Sequence, residues 1–128
     1  MVRVAWEGKV EPAKSIEDLE RLLYRIAADY PGDRAVLATL TRDDSGDSLK
    51  IGLGRPLSVL EFMSGSLEPP YFASVGTVQD GGSEVYHYDG EWTEIPRRNL
   101  IPLVEARRAV RRFFLTGERP DEVAWEAE

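Results

Sequence analysis

Residues 35–63 read AVLATLTRDDSGDSLKIGLGRPLSVLEFM. Three β-rich apolar runs, 35–41, 49–53 and 57–63, are separated by two breaks. The first break, Asp43-Asp44-Ser45-Gly46-Asp47, is turn chemistry, because short polar side chains bond their own backbone and glycine admits positive φ. The second, Gly54-Arg55-Pro56, bends the chain before the next run. Short strands joined by tight turns pair with their sequence neighbours, so this stretch predicts an antiparallel meander.

Working outward, residues 2–6 read as a strand, and Ser15 opens a helix. An N-cap serine is followed three residues later by Asp18, and Ile16, Leu19, Leu22, Leu23, Ile26, Ala27 and Tyr30 recur at helical spacing until Pro31-Gly32. Downstream, strands are predicted over 71–78, 84–88 and 92–95, with turns at Asp80-Gly81-Gly82-Ser83 and Asp89-Gly90. A second helix begins near Pro102, buries Leu103, Ala106, Val110, Phe113 and Phe114, and stops at Gly117 with Pro120 beyond. Residues 123–125 read as a closing strand. The order strand, helix, meander, helix, strand predicts an α+β fold: one domain over residues 1–128, an antiparallel β-meander sheet with two main helices packed on one face.

The chain has 128 residues, 42% of them hydrophobic, and a formal net charge of −7. That length supports a core without covalent staples. Cys is 0 and His is 1, which removes disulfide chemistry, Cys/His zinc sites and multi-histidine metal sites. The first seven residues lack the basic and apolar regions of a secretory signal, and no run approaches the ~20 apolar residues of a membrane span. A cytoplasmic protein that binds neither nucleic acid nor membrane is expected, since phosphate binding rests on Lys and Arg.

A search for reaction chemistry finds little. His87, in Val85-Tyr86-His87-Tyr88, reads as a half-buried strand residue, and the serine context Phe72-Ala73-Ser74-Val75-Gly76 lacks the first glycine of a nucleophile elbow. The pair Gly52 and Gly54 fits neither phosphate-loop template, because Leu57 stands where a third glycine belongs; a bend or bulge is the simpler reading. Neither a catalytic residue, a metal, a cofactor nor a small-molecule substrate is expected. Trp6 and Trp125 read as packing residues.

The charge map is more informative. Between Pro56 and Pro96 there is no Lys or Arg, while Glu61, Glu68, Asp80, Glu84, Asp89, Glu91 and Glu94 give seven acids. Arg97 to Arg119 then carries seven arginines against Glu105 and Glu118. Acids in the meander interleave with aromatics that look exposed (Tyr71, Phe72, Tyr86, Tyr88, Trp92), and Tyr and Trp anchor protein interfaces while charge steers encounter. Asp80, Glu84, Asp89, Glu91 and Glu94, with Tyr88 and Trp92 as anchors, are therefore the candidate partner-binding residues. Arg107, Arg108, Arg111 and Arg112, on the outer face of the second helix, are a second-choice interface; pairing with the acidic meander or the acidic tail is the plainer explanation of that face.

Several stretches in order, Leu49-Lys50-Ile51-Gly52-Leu53-Gly54-Arg55, Ser58-Val59-Leu60-Glu61-Phe62, Pro70-Tyr71-Phe72-Ala73-Ser74-Val75-Gly76, Leu100-Ile101-Pro102, Thr116-Gly117-Glu118-Arg119-Pro120 and Val123-Ala124-Trp125-Glu126, resemble the Imm1 family of bacterial immunity proteins. The resemblance implies an α+β protein that binds the C-terminal domain of a polymorphic toxin, encoded by a neighbouring gene, and blocks it in the producing cell. Such toxins are commonly nucleases or nucleic-acid deaminases. It supplies no contact residues. Two other classes stay open at this point: a small acidic metal-dependent enzyme, which requires carboxylates converging in a pocket, and a non-catalytic scaffold.

Overall fold

The stretch 35–63 forms the middle of the sheet. The computed structural model describes residues 1–128, and in it β3 (Val36–Arg42) and β4 (Ser48–Leu53) pair antiparallel from Val36 opposite Leu53 to Thr41 opposite Ser48. β1 (Val2–Trp6) flanks β3 on one side and carries β2 (Lys9–Ala13) at the sheet edge. On the other side β4 is followed by β6 (Leu60–Met63), β7 (Phe72–Val75) and, last, β11 (Ala124–Ala127). The predicted meander is thus real from β3 to β7. The terminal strands close its two ends.

Two departures from expectation matter. The 57–63 run splits, because β5 (Leu57–Ser58) leaves the sheet to pair with β10 (Ile101–Pro102), while Val59 turns its carbonyl to the Gly52 N–H at 3.0 Å. Moreover β8 (Ser83–Tyr88) does not pair with β7, as an unbroken meander would require. The chain ends β7 at Val75, where Gly76 donates to the Arg98 carbonyl at 2.7 Å. A Cβ at Gly76 would lie 1.8 Å from the Leu100 carbonyl oxygen. The chain then crosses the sheet, and β8 pairs with β3 in parallel, Val36 opposite His87. β9 (Glu91–Pro96) returns antiparallel to β8.

The predicted helices form as α1 (Ile16–Asp29) and α2 (Leu103–Thr116). The Ser15 hydroxyl accepts from the Asp18 N–H at 3.1 Å, satisfying a first-turn N–H that has no partner in the helix, and the Asp18 carboxylate reaches back to accept from the Lys14 N–H, just before the cap, at 3.2 Å. Gly117 ends α2 in the left-handed region at φ 77°. Arg42, at the end of β3, donates to the Phe113 and Phe114 carbonyls at 3.1 and 2.8 Å, placing a cation at the negative end of α2. That guanidinium holds the Asp44 carboxyl at about pKa 2.

Both helices cover the same face. Leu19, Leu22, Leu23 and Ile26 of α1, with Ala106, Ala109, Val110 and Phe113 of α2, pack on alternate residues of β1, β3, β4 and β6 in a core of 20 buried residues that includes Trp6. Trp125 packs against this core, its indole N–H donating to the Pro120 carbonyl. The opposite face has a core of only six buried residues, Ala35, Leu37, Val59, Tyr86, Ile95 and Leu100. The β8–β9 hairpin supplies two of them.

Candidate functional site

Asp89 and Gly90, at φ 50° and 83°, make the tight turn between β8 and β9. Residues opposite each other across an antiparallel pair share a face. Tyr86 opposite Thr93, and Glu84 opposite Ile95, therefore face the sheet, whereas Trp92 opposite His87, and Glu94 opposite Val85, face away from it. Tyr86 is completely buried, which corrects its reading as an exposed aromatic. Its ring fills the space over Gly52, where a Cβ would come within 2.8 Å of Cε2, and its hydroxyl donates to the Leu57 carbonyl at 2.7 Å. Gly52 is thus glycine because a ring lies on it, whereas Gly54, at φ 108°, does turn the chain as expected.

The hairpin tip is fastened as well. The Asp89 carboxylate accepts from the Gly8 N–H and the Glu7 carboxylate from the Gly90 N–H, at 3.4 and 3.3 Å, joining this turn to the β1–β2 turn. The sequence reading missed β2 because Glu7-Gly8 lacks the usual Asn or Asp of such turns, although Glu7 adopts φ 43°.

The candidate acids separate into two groups. Asp80 and Glu84 converge on Arg97, at 3.0 and 2.5 Å. They answer an internal cation, Glu84 half-buried and Asp80 still exposed. Glu91 and Glu94 are exposed and, like Asp89, have no cation partner, and Trp92 between them is 78% exposed. Tyr88 is half-buried beneath Lys50, whose Nζ lies 4.4 Å from the ring centroid. Tyr71 is half-buried with its hydroxyl on the Leu67 carbonyl, and Phe72 is half-buried with the Arg119 guanidinium 4.0 Å from its ring centroid. His87 is half-buried with Nε2 3.2 Å from the Asp33 carbonyl oxygen.

Register places further acids beside the hairpin. Lys50 of β4, Glu61 of β6, Ala73 of β7 and Glu126 of β11 form one row across the face that the helices leave open. Between this row and β9 lies an open cleft of about 470 Å3, lined by Glu61, Glu94, Glu126 and Glu128. Arg98 neutralises Glu126 at 2.7 Å. Partial desolvation, followed by the charge and hydrogen bond of Glu61 beside it, pushes the Glu128 carboxyl up to about pKa 7, while Lys50 pulls the other way. The sequence showed Glu61 alternating with Leu60 and Phe62. It could not show that β11 lies two strands away.

No three His, Asp or Glu side chains converge as metal ligands do. No helix is long and apolar enough to cross a membrane.

The arginines of α2 are only partly answered. Arg111 pairs with Glu20 of α1 and Arg112 with Glu122 of the tail, while Arg107 and Arg108 are exposed and form no ion pair. The acidic meander takes Arg97 instead of any arginine of the helix.

The model of the family described as immunity protein Imm1 matches residues 7–127, and the chain belongs to that family. No match is found among curated proteins.

Proposed function

We propose that this Imm1 immunity protein neutralises a polymorphic toxin domain that acts on nucleic acid and is encoded by a neighbouring gene, and that it does so in the cytoplasm of the producing cell. Membership of the family supports the toxin-neutralising role. One observation carries the finer reading: on a firmly bolted hairpin Asp89, Glu91 and Glu94 form no ion pair, and Trp92, 78% exposed, shares its outward face with Glu94. A nuclease or deaminase binds its polyanionic substrate in a basic cleft. Fixed carboxylates occupy such a cleft favourably, and an aromatic anchor supplies the desolvated contact that charge alone does not.

Glu61 and Glu128 extend the negative surface beside the hairpin. Asp80 and Glu84 hold Arg97 and so stiffen the base of the hairpin; Tyr88 packs under Lys50.

The test is co-expression with the C-terminal domain of the adjacent toxin gene, scored by host growth and then by binding kinetics. Wild type should rescue growth. Glu91→Lys with Glu94→Lys should slow association about ten- to a thousandfold at low salt and less at high salt. Association that is unchanged at low salt would place the contact elsewhere, and loss of rescue on Arg107→Glu with Arg108→Glu would place it on α2.

A further inference from the structure

The edge strands β2 and β11 present different backbones to solvent. In the β1–β2 hairpin Trp6 and Lys9 flank the two-residue turn Glu7-Gly8 and form its closing hydrogen-bonded pair. Pairing alternates from there, so Val10 and Pro12 turn their backbone groups away from β1, to the open edge. Pro12 has no N–H to offer, and its ring obstructs a further strand. At the other edge Glu128 donates to the Tyr71 carbonyl at 2.7 Å. The same alternation bonds Glu126 and Ala124 to β7 and turns the N–H and C=O of Trp125 and Ala127 outward. β11 pairs with β7 alone, Ala127 is exposed, and the strand holds neither proline nor lysine. One edge is closed by a proline and the other is open.

The surface beside the open edge sets the chemistry of what can pair with it. Glu126, Ala127 and Glu128 border the open cleft, where Glu61 and Glu94 join them and Arg98 is the cation in the lining. The edge is therefore continuous with the acid surface next to the hairpin. A second copy is a poor complement. An antiparallel pairing that uses all four outward groups sets Trp125 opposite Ala127 of the second copy, and so sets Glu126 opposite Glu126, like charge against like charge on a chain of net charge −7. A strand with Lys or Arg at alternate positions meets the same acids with opposite charge.

We propose that β11 takes an extended basic segment of the toxin domain as a further strand of the sheet, its main chain bonded to Trp125 and Ala127 and its alternate basic side chains turned to Glu126 and Glu128. This rests on the toxin-binding reading and deepens it: main-chain bonds supply affinity and register, and the acids select the sequence.

Ala127→Pro tests it. The substitution deletes one outward N–H, leaves the bonds to β7 in place, and repeats on this edge what Pro12 does on the other, so thermal melting should be unchanged. The Kd for the toxin domain of the adjacent gene should rise at least about tenfold, whereas Ala127→Ser, which keeps the N–H, should bind as wild type does. Hydrogen exchange needs no substitution: the Trp125 and Ala127 amides should exchange freely in the free chain and become protected in the complex. Wild-type binding by Ala127→Pro, or two amides left unprotected in the complex, overturns the proposal and leaves the toxin reading standing. Protection that grows with the concentration of the free chain means self-pairing and overturns it as well. Glu128→Lys should weaken binding about threefold or more at low salt and less at high salt; no change at low salt overturns the basic character of the segment. A wild-type chain that binds no toxin removes both readings together, whereas loss on Ala127→Pro with normal binding by Glu91→Lys and Glu94→Lys keeps the added strand and removes the hairpin contact.

Discussion

The two faces of the central sheet are built from the same strands and finished differently. One is sealed by two amphipathic helices over 20 buried residues, and its charged groups stand only at the rim. The other has six buried residues under a single hairpin, and beside them an open, acid-lined cleft. Charges tolerated on the second face would be prohibitively costly beneath the helices, where nothing could hydrate them. The difference teaches where an interaction surface can exist in so small a protein: on the side where packing is complete only locally.

The largest effect should come from breaking the small core. Tyr86→Ala is expected to cost about 3–5 kcal/mol in denaturant unfolding, because it empties the space over Gly52 and leaves the Leu57 carbonyl without its donor. If it cost no more than Trp92→Ala, the hairpin would not be bolted to the sheet at all. Next, Gly52→Ala should cost about 1–3 kcal/mol by overpacking against the same ring. Combining it with Tyr86→Ala should be clearly less than additive, since the clash has then lost its partner.

A smaller effect should appear with pH. Glu128 holds its proton up to about pH 7 in the folded chain against an ordinary value of 4.5, so the native state binds that proton more tightly than the unfolded chain does. Its favourable contribution is complete below about pH 4.5 and is lost as pH rises through 7. Stability measured across that window should decline with rising pH, and Glu128→Gln should flatten the decline. A basic partner in the cleft reverses the sign for binding: ionised Glu128 is then favoured, and affinity should increase over the same range. Smallest of all on stability are Trp92→Ala and Glu94→Lys, expected within about 0.5 kcal/mol because both side chains face solvent. Equal losses for these and for Tyr86→Ala would erase the distinction between the anchored and the presented side of the hairpin.

Local chemistry made much of the fold legible. Ser15 and Asp18 cap α1 as their spacing required, Gly117 ends α2, and Asp89-Gly90 turns the hairpin. Helical spacing named the buried faces of both helices. The pairing of β8 with β3 was not legible, because a parallel bridge between distant segments leaves no local mark. Nor was the burial of Tyr86, since alternation puts Tyr86 and Tyr88 on one face without saying which face is covered.

The sequence by itself determined an α+β chain with its acids gathered in one segment and its arginines in the next. Periodicity and turn residues act over a few positions, and formal charge requires no geometry. Only the tertiary structure decided which of those acids remain free. Arg97 folds back onto Asp80 and Glu84, while Glu91 and Glu94 form no ion pair, and β11 brings Glu126 and Glu128 alongside Glu61. The physical reason is that the charge left to meet a partner is the remainder after internal pairing and desolvation, and both depend on segments that only the fold brings together.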